Sequence, residues 1–236
     1  MGVLLGLEGV TRRYGALVAL DRLDLSVAAG ERRALIGPNG AGKTTLLDLV
    51  AGASRADGGR IRFAGRDVTR HGPAQRARLG IGRIHQRPAV WTSMSTLENV
   101  AVAGAPRHGG FRRALPVARE TLDRLGLDHV TLAARLSHGQ RRQLEIAMAL
   151  AGEPRLLLLD EPAAGLSHVE FIRLGDVLAS LSRDVTVLLV EHRLDLVYAH
   201  ADTVTVLRDG KHVATGTPDE IRTSPAVRAA YAEAVV

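Results

Sequence analysis

The spacing of hydrophobic and polar residues changes twice along the chain. In the first third the period is two: Leu5 and Leu7 alternate with Gly6 and Glu8, and Leu23, Leu25 and Val27 alternate with Asp24 and Ser26. That period places successive side chains on opposite faces of a strand. Arg32–Ile36 reads as a short strand running into a glycine-rich turn, Thr44–Ala51 as a helix closed by Gly52, and Arg60–Phe63 as a strand before a turn at Gly65.

From about Arg87 to Gly152 the strand pattern stops. Three- and four-residue spacing predicts helices over Leu97–Val102, Leu115–Leu125 and Gln140–Ala151; in the last, Leu144, Ala147, Met148 and Ala151 share one face. Ala105–Arg113, with Pro106, Gly109 and Gly110, reads as a loop. Strands return at Arg155–Asp160 and Val185–Glu191, then at Thr203–Leu207 and His212–Thr215 around the turn Arg208–Lys211. Between them Val169–Leu181 is a predicted helix, with Ser167 as N-cap and Glu170 as its N3 partner. Strand–helix alternation of this kind predicts an α/β fold, a mostly parallel sheet covered by helices and interrupted by a helical insert.

Composition narrows the classes without changing this picture. A chain of 236 residues, 46% apolar and 24% charged, is in the globular range and long enough to bury its own core. The absence of cysteine excludes a disulfide scaffold, a thiolate zinc site, an iron–sulfur cluster and a thiol nucleophile. The N-terminal MGVLLGLEGVTRRYG does not read as a secretory signal, and no apolar run reaches the roughly 18–20 residues of a membrane span. The expectation is a soluble chain or the peripheral part of a membrane assembly. Net charge is +6, carried almost wholly by arginine, since Lys43 and Lys211 are the two lysines. The arginines are scattered and aromatic residues are few, so a solvated basic surface is expected rather than a nucleic-acid interface.

Chemistry concentrates in two places. Gly37-Pro38-Asn39-Gly40-Ala41-Gly42-Lys43-Thr44-Thr45 satisfies G-x-x-x-x-G-K-[ST] between a predicted strand and a predicted helix. Glycines there let successive N–H groups point inward at phosphate oxygens, and the helix N-terminus adds positive potential. Lys43 is expected to reach the β- and γ-phosphates, and the Thr44 hydroxyl to ligate Mg²⁺. The second place is Leu156–Glu161, four leucines followed by two acids, which sets Asp160 at the C-terminal edge of a buried strand. Asp160 is expected to hold Mg²⁺ and Glu161 to take a proton from an attacking water.

Leu136-Ser137-His138-Gly139-Gln140 resembles the signature sequence of ABC-type ATPases, with His138 in place of the usual first glycine of its central pair. The resemblance extends over essentially the whole chain. It implies that Tyr14 stacks on adenine, that Gln86 links metal and attacking water to a membrane partner, and that His192 contacts the γ-phosphate. Ala164–Ser167 takes the place of the loop that crosses to the other subunit, with Ser167 where many members carry Asp. The implied fold is a RecA-like P-loop core with an antiparallel β part, in one domain over residues 1–236. Within it, residues 1–86 and 153–236 form the core and 87–152 an α-helical signature subdomain. Two subunits, identical or paralogous, would pair head to tail so that ATP sits between the phosphate loop of one and Ser137, His138, Gly139 and Gln140 of the other.

Gly80–Arg83, Thr96–Val100, Glu145–Ala151, Val190–His192, Asp195–Val197 and Gly216–Ile221 further resemble the ATPase subunits of branched-chain amino acid importers and related urea or amide importers. This implies integral-membrane permease partners, an extracytoplasmic solute-binding protein acting through them, and a place on the cytoplasmic face of the membrane. Arg87–Trp91 and Arg193 depart from that pattern. A soluble ABC ATPase acting on ribosomes or nucleic acid is the rival class, but such readings usually need two fused ATPase units or a coiled-coil arm. An export subunit and a simple P-loop kinase fit less of the pattern. Trp91, the single tryptophan, reads either as a docking residue or as a core residue of the helical subdomain.

Overall fold

Alternating residues near the start of the chain form two long antiparallel strands. In this computed structural model, which describes residues 2–84 and 89–232, β1 (Val3–Tyr14) pairs with β2 (Leu17–Ala28). Leu5 lies opposite Val27, Leu7 opposite Leu25 and Val10 opposite Leu23, all buried; the period of two holds to Leu7, and a register shift between Leu7 and Val10 brings Val10 back to the buried face. β4 (Gly58–Phe63) joins the other edge of β1, and β5 (Arg66–Asp67) completes the order β2-β1-β4-β5.

These strands belong to one compact unit, Met1–Arg76 with Arg183–Val236. The same unit holds β3 (Arg32–Ile36), flanked in parallel by β8 (Thr186–Val190) and β9 (Thr203–Arg208), with β10 (Lys211–Gly216) antiparallel to β9. All five residues of β8 are buried, so it reads as a continuous apolar run rather than an alternating one. Ala34, Ile36, Val197, Val204, Val206, Ile221 and Val227 pack into one cluster here.

Among the described residues, five helices complete this unit. α1 (Lys43–Ala51) follows β3 and ends at Gly52 in the left-handed conformation, as expected. α2 (Pro73–Arg78), which runs two residues past the unit's boundary, α7 (Leu194–His200), α8 (Pro218–Thr223) and α9 (Pro225–Ala232) are absent from the sequence expectation. Each has six to eight residues, shorter than the window in which helical periodicity shows. From α2, fully buried Arg76 donates to the carbonyls of Leu49 and Val50 in the last turn of α1, and to those of Val68, Thr69 and His71. Burial lowers its pKa to about 10, and its charge suits the negative end of the α1 dipole.

The second unit is Ala77–Ser182. β6 (Ile81–Ile84) runs parallel to β7 (Leu156–Asp160), with Ile81 opposite Leu156 and Ile84 opposite Leu159. Between them lie α3 (Thr96–His108), α4 (Phe111–Arg124), a 3-10 turn at Ala133–Arg135 and α5 (His138–Leu150); α6 (His168–Ser180) follows β7. The loop expected over Ala105–Arg113 shrinks to Gly109 and Gly110. Pro106 stays inside the last turn of α3, because its fixed φ suits a helix and only one hydrogen bond is lost. Gly109, at φ 74°, ends α3, and Gly110, at φ 129°, starts α4.

Candidate functional site

The glycine-rich loop expected to hold phosphate is built where β3 ends. Gly37, Gly40 and Gly42 have φ of 150°, 81° and 96°, backbone that side-chain-bearing residues rarely adopt. Two of them also admit no side chain. A Cβ at Gly37 would stand 2.1 Å from the Leu207 carbonyl oxygen, and one at Gly42 would stand 2.4 Å from that of Ala19. The back of the loop is fastened by the turn between β9 and β10, where the Gly210 N–H donates to the Ala41 carbonyl at 3.2 Å. Lys43 is buried, and its ammonium donates to the carbonyls of Gly37 at 2.7 Å and Pro38 at 2.9 Å. Asn39, Gly40 and Thr44 are exposed, and Thr45 is half-buried.

The starts of α1 and α4 both lack a side-chain cap and an acid in the first turn, but only that of α1 has a lysine, Lys43, folded back onto the preceding loop. The cap position of α1 is Gly42. By contrast α3, α5, α6 and α8 each begin with a complete capping box. The first N–H groups of α1 are therefore not met by a side chain at the cap position, beside glycines that keep the approach free of Cβ atoms. These residues fit the phosphates of a nucleotide.

Two other candidates belong to the same unit. Tyr14, at the end of β1, is 44% exposed, with the Arg12 guanidinium 4.4 Å from the centre of its ring. Arg12 in turn pairs with Asp57 at 3.3 Å, and its hydrogen bond to Tyr14 is the main cause lowering the phenol's pKa. His192 is exposed just after β8, its backbone N–H donating to Glu191 Oε2 at 3.0 Å.

In the second unit Asp160 ends β7, buried, with Arg83 of β6 at 3.5 Å from its Oδ2. Glu161 has φ 46°, a left-handed conformation unusual for a residue with a side chain and a mark of local strain. Neither the Arg83 pairing, which spans 77 residues of sequence, nor this strain was visible in local spacing.

Ser137 caps α5. Its hydroxyl accepts from Gln140 N at 3.2 Å while Gln140 Oε1 accepts from Ser137 N at 2.9 Å. His138 is exposed and Gly139 buried. Ser137 Oγ and Gly139 N both donate to Glu170 Oε1, each at 2.8 Å. Glu170 was expected only as the cap partner of Ser167, a role it also fills, and Ser137 holds its pKa down at about 2, with help from Ser167 and Gly139.

Gln86 lies outside the described residues. Ala89 and Trp91 are each held by a buried side chain: Ala89 N donates to Glu145 Oε1 at 2.6 Å, and Trp91 N donates to Asn99 Oδ1 at 2.8 Å. Glu145 also pairs with buried Arg142 at 2.8 Å, and burial raises its pKa. Trp91 itself is 44% exposed, which removes the core reading of it. Among the described residues no helix is long and apolar enough to cross a membrane.

Comparisons with known proteins bear on the whole arrangement. A family model described as "ABC transporter" matches residues 20–164, and one described as "Branched-chain amino acid ATP-binding cassette transporter" matches residues 211–231. The high-affinity branched-chain amino acid transport ATP-binding protein LivG of Salmonella typhimurium is 37% identical, over 97% of this chain and 97% of the relative. A putative ribose/galactose/methyl galactoside import ATP-binding protein of Burkholderia ambifaria is 40% identical over 90% of this chain. The match spans only 42% of that relative's length. Among solved structures, the ADP conformation of MJ1267, an ATP-binding cassette of an ABC transporter, superposes with a TM-score of 0.88 at 30% identity. It covers 98% of this chain and 99% of that one, and bears out the α/β P-loop fold. With more than half of its residues matched by the family model and a relative of near-equal length more than a third identical, the chain belongs to the ABC transporter ATP-binding family, whose members are ATPases.

Proposed function

We propose that this chain is the ATP-hydrolysing subunit of an importer for branched-chain amino acids or related small polar solutes, bound at the cytoplasmic face of a membrane to separate permease subunits. The observation that carries the ATPase reading is the start of α1, which has no side-chain cap and lies beside buried Lys43. The solute class is supported by LivG, a relative of near-equal length, and by the family match in the tail at 211–231. A sugar importer is the second reading, because the ribose/galactose relative is 40% identical.

In this reading residues 1–236 form one ATPase domain in which 87–152 is the signature subdomain. Lys43 and the backbone N–H groups present in residues 37–45 (Pro38 has none) hold the phosphates, and Tyr14 stacks on adenine. Mg²⁺, when bound, supplies positive charge to the phosphates; Thr44, Asp160 and Gln86 are the residues assigned to hold it. Glu161 accepts the proton of the attacking water, and His192 orients the terminal phosphate. Ser137, His138, Gly139 and Gln140 face nucleotide held by a second subunit, so ATP joins the pair and its hydrolysis releases it.

Glu161→Gln tests the reading. It should bind ATP yet lose turnover by about 100- to 10,000-fold. In sedimentation it should run as a dimer with ATP and as a monomer without it. Wild-type turnover, or no ATP-dependent shift, would remove the assignment. Trp91→Ala tests docking: it should leave the melting temperature and basal ATPase of the isolated subunit nearly unchanged while abolishing stimulation by the permease. A drop of many degrees counts against it.

A further inference from the structure

One carboxylate joins the starts of two helices. Glu170 completes the capping box of α6 with one oxygen: Oε2 accepts from Ser167 N at 3.1 Å and Ser167 Oγ at 2.9 Å. The other oxygen, Oε1, leaves that helix for the first turn of α5, accepting from Ser137 Oγ and Gly139 N. Capping does not require this second tie, because α5 already has a complete box of its own from Ser137 and Gln140. The tie also uses a missing side chain. A Cβ at Gly139 would stand 2.5 Å from Glu170 Cγ and 2.6 Å from Oε1, so the carboxylate fills the space that glycine leaves.

Under the proposed function, Ser137 Oγ and Gly139 N–H are the donors for the terminal phosphate of a nucleotide held by the second subunit. A carboxylate oxygen and a phosphate oxygen make the same demand on those donors, as strong charge-assisted acceptors. Both cannot hold them at once. We propose that Glu170 is an intramolecular stand-in for that phosphate: it occupies the anion seat of the signature in the free subunit, and ATP-driven pairing of two subunits has to displace it. The inference rests on the reading of Ser137 and Gly139 given above. It makes Glu170 a positioning residue that sets how much ATP is needed to pair the subunits. Once phosphate has left, the same carboxylate returns to the seat and favours separation.

The test uses the full chain, reading hydrolysis rate against ATP concentration, together with ADP affinity as a measure of the phosphate loop alone. Glu170→Gln keeps the size and the α6 cap but weakens the tie to α5. It should lower the ATP concentration for half-maximal hydrolysis by about three- to tenfold, with ADP affinity unchanged. Glu170→Asp keeps the charge on a side chain one methylene shorter, which cannot span both helix starts, and should shift in the same direction. A wild-type response of Glu170→Asp overturns the seat in favour of charge alone. No shift in either variant, with a lowered melting temperature, reduces Glu170 to a helix cap. Ser137→Ala separates the two levels. If it hydrolyses ATP like wild type, the signature reading falls and this inference with it. If it is impaired while the Glu170 variants do not shift, only this inference falls.

Discussion

The starts of α1 and α5 face the same problem and meet it in opposite ways. Each leaves backbone N–H groups pointing out of a helix end, and each has a glycine at its start, Gly42 at the cap of α1 and Gly139 in the first turn of α5. At α1 the cap position is Gly42, no acid stands in the first turn, and Lys43 folds back onto the loop carbonyls. At α5 the cap is Ser137, the box is complete, and an acid from α6 is added to it. The first is ready for an anion. The second already holds one. A helix N-terminus alone therefore says little about ligands; what decides is whether the chain supplies its own acceptor.

The largest expected effect falls on the open end. Lys43→Ala should reduce ATP hydrolysis by two or more orders of magnitude, about 3 kcal/mol or more, and should abolish the rise in melting temperature that ADP gives the wild type. Equal ADP stabilisation of the variant would show that the open end is not the nucleotide site.

An intermediate effect is expected at the closed end as pH falls. Glu170 has its pKa held at about 2 from an ordinary 4.5. The unfolded chain therefore takes up this proton at a higher pH than the folded one. The stability it contributes is complete above about pH 4.5 and is lost as pH falls towards 2. Urea unfolding should show wild type losing its advantage over Glu170→Gln across that window. A constant difference between the two would break the contrast with α1, which has no acid in its first turn to titrate.

The smallest effect calibrates the comparison. Ser95 caps α3 with Glu98 in a box that neither the phosphate loop nor the signature contains. Ser95→Ala should cost about 1 kcal/mol of stability in urea unfolding and leave ATP hydrolysis unchanged. An equal loss of ATP hydrolysis in this variant would mean that capping by itself controls activity.

Residues close in sequence made much of this legible. The Ser167–Glu170 box, the Gly52 stop and β3 follow from spacings of a few residues, and each appears where it was expected. Boundaries were less legible. Pro106, Gly109 and Gly110 together read as a loop, yet only the glycines break the helices, because proline's φ is itself helical. The short helices α2, α7, α8 and α9 carry too few turns for a periodic signal.

The sequence by itself determined the longer strands and helices, the glycine-rich turn between β3 and α1, and the acidic end of β7. Each of these is written in contiguous residues, where backbone geometry converts spacing directly into direction. Only the tertiary structure decided which acceptor meets which distant donor. Arg83 reaches Asp160, Glu145 reaches Ala89, and Gly210 reaches Ala41. Glu170 was visible as a cap for Ser167, but its second oxygen goes to Ser137 and Gly139. The reason is physical: a carboxylate has two oxygens and more than two acceptor directions. Local spacing assigns the first oxygen, whereas the partner of the second is set by which helix start the path of the chain brings beside it.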